Sequence, residues 1–390
     1  MEGSGGFRGG VVRLHHRLTD GPPTRGRRIL VWGLVALSMI LVITCSLTIW
    51  VQRQALNTDN WVDLSTELLQ DDEVRGLLAT RLVDSLYAES DVQQNLANRL
   101  PPPLDSLAAP VAGLVRTAAV DAADEFLKRP RVQQLWAEAN RATHSQLVRL
   151  LREEEGQGVV TAEKGEVVLD LGALVQQLAQ QLGFSVQLDE GTGVFVIATS
   201  DQLAAAQTAV RVIDPLSILS IIAIIVLLVL AVYLASGFRR QTLRGIGAAL
   251  VFTGLLLLVV RRLTGDAVVD SLTSDATQPV GTTVWVLGTN LLRDICIALI
   301  AYGLVLVIGA WLAGPSRPAR WLRRTVAPSL RERPIVAYGA VALIFLLVLL
   351  WGPTEATRSI WGILVLAALT GLGVWVLRRQ ILKEFPPATG

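Results

Sequence analysis

Six apolar runs interrupt the chain, at 29–50, 216–237, 245–260, 295–313, 335–351 and 360–377. A bilayer core about 30 Å thick is crossed by about 20 helical residues, so each run reads as a transmembrane helix. The third is short, and it extends through Leu263 if Arg261 and Arg262 reach back to the headgroups. Pro334 and Pro353 bracket the fifth. The first run is too long for a cleavable signal peptide and no small-residue cleavage site follows it, so it is expected to be a signal anchor.

Between the first two runs the pattern turns amphipathic. Trp61, Leu64, Leu68, Val74, Leu77, Leu78, Leu82 and Leu86 recur at helical spacing, with Thr58, Asp59 or Asn60 as the expected cap. Pro101, Pro102 and Pro103 break that helix, and a second is expected over 104–127. A third starts at Pro130 and buries Val132, Leu135, Trp136, Ala139, Thr143, Leu147 and Leu150. Beyond Gly158 the period drops to two. The spacing predicts a hairpin of 159–161 with 166–169, a helix over 171–182, a second hairpin of 186–188 with 194–198, and a last helix capped by Thr199 or Ser200. The expected fold is an α-helical membrane protein, with six transmembrane helices and one extracytoplasmic α+β domain over 51–215, helices followed by ββαββα.

Charge gives this layout a direction. Residues 1–28, 238–244, 314–334 and 378–390 carry 18 Lys+Arg and only four acids. Basic residues are retained on the cytoplasmic side during insertion, which puts these segments inside. The 52–215 segment carries 24 acids against 13 basic residues. A net charge of +2 is therefore the remainder of about +14 inside and −12 outside. Both termini are expected in the cytoplasm, the first 28 residues as a disordered basic tail. Seven of the ten tryptophans (Trp32, Trp50, Trp285, Trp311, Trp351, Trp361 and Trp375) fall near span ends, where indole prefers the headgroup boundary. With 17% charged residues, against about a quarter in globular domains, and a mean hydropathy of +0.48, the lipid bilayer is the expected partner rather than nucleic acid.

Catalytic chemistry finds little support. His15 and His16 sit in the tail, and His144 is expected as a solvated flank residue of the third outer helix. No HExxH or paired CxxC pattern accompanies them, so no metal site and no cofactor are expected. Ser145 adjoins His144 in sequence, but adjacent helical residues do not face each other. Gly245-Ile246-Gly247 follows no strand and is not a dinucleotide loop. The acids Asp71, Asp72 and Glu73 suit a helix N-terminus better than calcium. Cys45 and Cys296 read as small buried side chains, a bridge between spans being the alternative. One cluster carries a sharper expectation. Arg261, Arg262, Asp266 and Asp270 follow the third run, while Arg293 and Asp294 precede the fourth; i,i+4 steps would align them as a membrane-proximal ion-pair collar in the outer loop 261–294.

The segments 57–62 (NTDNWV), 129–136 (RPRVQQLW), 167–172 (VVLDLG), 200–211 (SDQLAAAQTAVR), 261–266 (RRLTGD) and 331–334 (RERP), in that order, carry a resemblance. The chain resembles an uncharacterised family of actinobacterial multi-pass integral membrane proteins. Its 32 arginines against three lysines fit a GC-rich genome. The resemblance implies a plasma-membrane location and brings no catalytic residue or ligand.

The expected function is that of a non-enzymatic envelope protein whose outer domain binds a partner envelope protein, a ligand or a second copy of the chain. The alternative is a transporter or channel component with that domain as lid or receptor. None of the six runs has Asp, Glu, Lys, Arg or His in its core, which weighs against ion-coupled transport. An outer-domain hydrolase is a third class, with no residues to name.

Overall fold

The computed structural model describes residues 24–90, 108–152, 160–163, 166–170 and 194–318, with scattered positions from 320 to 371. In chain order these form α1 (Arg25–Ala55), α2 (Thr58–Gln70), α3 (Asp72–Ser90), α4 (Ala108–Leu127), α5 (Pro130–Leu151), β1 (Val160–Glu163), β2 (Glu166–Asp170), β3 (Val194–Thr199), α6 (Ser200–Leu234), α7 (Arg239–Leu272), α8 (Gln278–Gly288) and α9 (Asn290–Leu312).

The expected fold class needs correction. Among the described residues four helices, rather than six, are long and apolar enough to cross a membrane: α1, α6, α7 and α9. This is a membrane protein in which helix overwhelms sheet. Among the described residues the sheet is one three-stranded piece of order β1-β2-β3, in place of the four strands of the expected ββαββα order. Val160 pairs with Leu169 in an antiparallel β1–β2 hairpin, but β3 lies antiparallel along β2, with Leu169 opposite Phe195 and an irregularity between Val167 and Val168. Strand pairing over distance is not encoded in alternation, so the pairing of 194–199 with β2 is an addition to the local hairpin expected for 194–198, whose other strand 186–188 lies outside the described residues. The predicted strand 186–188, the helix 171–182, most of the runs 335–351 and 360–377, residues 1–23 and the tail 378–390 lie outside the described residues.

Helix lengths also differ from the apolar runs. α1 begins at Arg25, inside the predicted tail, and ends at Ala55. α6 takes the predicted outer helix and the second run as one 35-residue helix through Pro215. α7 continues past Arg262 to Leu272. Arginine and alanine are good helix formers, so hydropathy marks the lipid-facing part of a helix and not its ends. A proline inside a helix removes one backbone bond, a loss confined here to a single turn.

The chain divides into two compact units. The apolar unit comprises residues 1–48, 216–262 and 291–390; the polar unit comprises 49–215 and 263–290. In the apolar unit Val31, Val35, Met39 and Val42 of α1 form a core with Ala231 and Ala235, Phe238 after α6, and Ile246 and Leu250 of α7. A second contact joins α7 to α9. A Cβ on Gly247 would lie 2.7 Å from the Gly303 carbonyl oxygen, and one on Gly303 2.6 Å from the Gly247 carbonyl oxygen. Two turns on, a Cβ on Gly254 would lie 2.8 Å from the Cys296 carbonyl oxygen. Small residues let helix backbones meet where lipid offers no hydrophobic force to join them. Gly245, in turn, makes room for the Trp32 ring. Arg27 ties off the end of α6, its guanidinium donating to the carbonyls of Leu234 and Ser236 and to the Ser236 hydroxyl.

In the polar unit α2 packs on α5 and α3 on α4. Leu69, Ala79 and Leu127 form its buried core, lined by Leu78, Val120, Ala123, Val132 and Trp136. The Trp136 indole donates to the Ser65 carbonyl at 3.0 Å. Gly265 leaves space for the Trp285 indole, and Trp50 Nε1 donates to the Gly288 carbonyl at 3.1 Å. With Trp32 against Gly245, three of the tryptophans expected as a headgroup belt thus have particular partners.

A Gly303→Leu substitution is expected to force α7 and α9 apart and cost about 1–3 kcal/mol. Gly309→Leu on the same helix faces open space and should be nearly silent. Thermal unfolding of both variants in detergent checks the contrast.

Candidate functional site

Helices α1 and α2 meet at a joint built from the segment 57–62. Asn57, rather than any of the three expected residues, caps α2: its side chain accepts from the Asn60 amide at 3.0 Å. The Asn60 side chain donates back to the Arg53 carbonyl at 3.0 Å. Asp59 pairs with Arg141 of α5, Trp61 stacks on His144 with ring centroids 4.9 Å apart, and Val62 is buried.

His144 departs from expectation. It is only 4% exposed, not a solvated flank residue. Nε2 lies 3.2 Å from the Ala55 carbonyl oxygen and Nδ1 3.2 Å from the Thr58 hydroxyl. A carbonyl only accepts, so Nε2 carries the proton and Nδ1 accepts from Thr58 in the neutral ring. Burial pushes the imidazole pKa down, opposed by the bond to Ala55. Both ring nitrogens are committed to the chain itself, and the neighbouring Ser145 hydroxyl donates to the Ala142 carbonyl at 3.0 Å. The pair therefore holds the joint rather than assembling a nucleophile and base.

Arg75 forms the second polar hub and is nine-tenths buried. Its Nε donates to Asp124 of α4 at 2.8 Å, Nη1 to the Gln70 carbonyl at 2.9 Å, and Nη2 to Asp72. Burial opposes its charge, and the hydrogen bonds to Asp72 and Asp124 outweigh that, so its pKa is raised. Lys128 Nζ reaches the other Asp124 oxygen at 2.7 Å. That bond, helped by Arg75 and opposed by burial, holds the Asp124 carboxyl below its ordinary range. Asp71 breaks the single helix expected over this stretch into α2 and α3, and its carboxylate accepts from the amides of Glu73 and Val74, both at 3.1 Å. The acids 71–73 thus serve a helix start.

The six residues of the expected collar divide between the units. Arg261, Arg262, Arg293 and Asp294 belong to the apolar unit, Asp266 and Asp270 to the polar one. Arg262, Asp266 and Asp270 are exposed along α7. Asp270 accepts from the Gln278 side chain of α8 at 3.0 Å. Cys45 and Cys296 are free and buried. No cluster of metal-ligating side chains occurs among the described residues.

The helix pair α3–α4 has a different character. Arg116 donates to Asp84 at 2.6 Å across the pair. Next to that bridge Leu82 and Leu86 are exposed at i,i+4 on α3, and Val111, Leu114 and Val115 at i,i+3 and i,i+4 on α4. Leu86 is 62% exposed and Leu114 72%. Leu82 and Leu86 belong to the helically periodic stretch read from the sequence. α3 buries Val74, Arg75, Ala79 and Val83 instead, and spacing alone does not separate Leu82 and Leu86 from that face, because they follow Ala79 at i+3 and i+7.

Because the folded-state pKa of His144 lies below its ordinary value of about 6.5, its neutral-form contribution is complete above that pH and falls away as pH drops toward the folded value. Unfolding temperature is expected to fall between about pH 7 and pH 5, and His144→Asn should flatten that slope. Arg75→Met should cost about 1–3 kcal/mol by removing the buried bonds to Asp124 and the Gln70 carbonyl while Lys128 still pairs with Asp124, and Arg75→Lys should recover only part because one ammonium cannot span these acceptors. Denaturation of the variants at neutral pH reads both.

No protein-family model, curated protein or solved structure matches this chain.

Proposed function

We propose that this is a non-enzymatic protein of the bacterial plasma membrane, with both termini on the cytoplasmic side and the polar unit facing outward to dock another envelope protein. The exposed apolar stripes of α3 and α4 carry this reading. Isolated exposed leucines are ordinary on a protein surface. Two stripes on a packed helix pair, joined by the Arg116–Asp84 bridge, are the form taken by a helical docking face. Orientation is supported by the charge segregation, with 18 basic residues in the four short inward segments and 24 acids in the 52–215 segment.

The native thiols are buried, so single cysteines introduced at Leu86, Leu114 and, as a control, Arg141 report with little background. In intact cells a membrane-impermeant maleimide should label Arg141→Cys. A photo-crosslinker at Leu114 should give one discrete adduct that the double variant L82D/L86D abolishes. Labelling of Arg141→Cys only after lysis would overturn the orientation, and an adduct pattern identical at Leu114 and Arg141 would overturn the docking face.

A further inference from the structure

At the turn between α6 and α7 the apolar unit has a cleft of about 830 Å³. Its wall includes Arg239, Arg240 and Arg244 from the start of α7, and Trp311, Gly314 and Ser316 from the end of α9. The turn is tight, and Gly237 supplies the left-handed conformation it needs, with φ of 87°. That brevity concentrates charge. Arg239, Arg240 and Arg244 are exposed, and among the described residues none of the three forms an ion pair. No acid lines the cleft among the described residues.

Two further features bear on the same space. The negative end of α6 is already tied off by Arg27, so it does not neutralise these cations. The first amides of α7 have no intrahelical acceptor and add positive character at the same place. The Ser316 hydroxyl is buried without a hydrogen-bond partner, a donor left over in the wall of the cleft.

We propose that this cleft binds a phosphate group, supplied either by the headgroup of an anionic phospholipid or by free phosphate. Guanidinium forks match phosphate oxygens in pairs, and basic pockets at the ends of spans are suited to anionic headgroups. Leu304, Ile308 and Trp311 are exposed in one line along α9 and lead away from the cleft, as the acyl chains of a bound lipid would require. This site is independent of the docking face on α3 and α4.

The test uses the full chain, purified in detergent and exchanged into mixed micelles containing phosphatidylglycerol, phosphatidylcholine, or phosphatidylcholine with inorganic phosphate. Native mass spectrometry counts retained lipid, and thermal unfolding reports stabilisation. Phosphatidylglycerol should be retained over phosphatidylcholine, and R240Q/R244Q should weaken that retention about tenfold or more. The control R320Q/R324Q, which removes the same charge elsewhere, should retain it. Stabilisation by inorganic phosphate, lost in R240Q/R244Q, would assign the site to free phosphate. Equal behaviour of wild type and R240Q/R244Q toward both sources overturns the proposal. If that variant does not fold, phenylglyoxal modification of the wild type decides. Slower reaction at Arg239, Arg240 and Arg244 with phosphatidylglycerol or phosphate, relative to Arg320, supports the site, and unchanged rates overturn it.

Discussion

Inside lipid, a helix gains nothing by hiding leucine from its surroundings, because the surroundings are as apolar as leucine. The contact between α7 and α9 answers that constraint. Gly247 and Gly303 each face the other's carbonyl at a distance no side chain would allow, and Gly254 repeats the approach near Cys296. Backbone dispersion then replaces the hydrophobic effect as the source of specificity. The wide Trp32 ring lies on Gly245, so the same end of α7 that gives up side chains to meet α9 also receives α1. The Gly-x-Gly pair that fails as a nucleotide loop is explained by these two approaches.

The polar unit faces the opposite problem. Its helices have water on one side and a modest core, with Leu69, Ala79 and Leu127 as the central buried residues. Orientation is set by polar groups that have one good solution each. Arg75 spends its donors on two carboxylates and a carbonyl, which fixes α3 against α4 and against the end of α2. His144 spends both nitrogens on the α1–α2 joint, which fixes α5 against it. Such groups stabilise less than an apolar core of equal volume but penalise every other arrangement more. Rigid seating of α3 on α4 keeps their outer stripes in a defined geometry, as a docking face requires.

How much of this was legible in the sequence follows from the range of each interaction. Apolar runs located α1, α6, α7 and α9 because a span is a local property of about 20 residues. Their ends were not legible, since Arg25 to Arg28 and Leu263 to Leu272 continue a helix without any apolar signal. The pairing of Asp72 with Arg75 lies one turn apart and could be read; Asp124, 49 residues on, could not. His144 was misread for the same reason. Its own helix places it on a flank, and only the return of Ala55 and Thr58 from 86 to 89 residues away buries it. The strand 194–198 was legible as a strand, but its pairing with β2 was not, because alternation specifies a face and never a neighbour.

The arginines of the α6–α7 turn show how one residue type can serve two constraints. As a count they would serve the proposed orientation, and any three positions in the loop would do. Their placement is more specific than that role demands. The linker between helices is only four residues long, so Arg239 and Arg240 enter the first turn of α7 and Arg244 follows Arg240 at i,i+4. A loop used for orientation alone would be expected to spread its charge into solvent and lower its own repulsion. Here a helix start, a left-handed glycine and the end of α9 hold three guanidiniums around one cleft. An anion seated among them would relieve the repulsion at the least cost, so the charge that fits the proposed orientation also fits the proposed phosphate site.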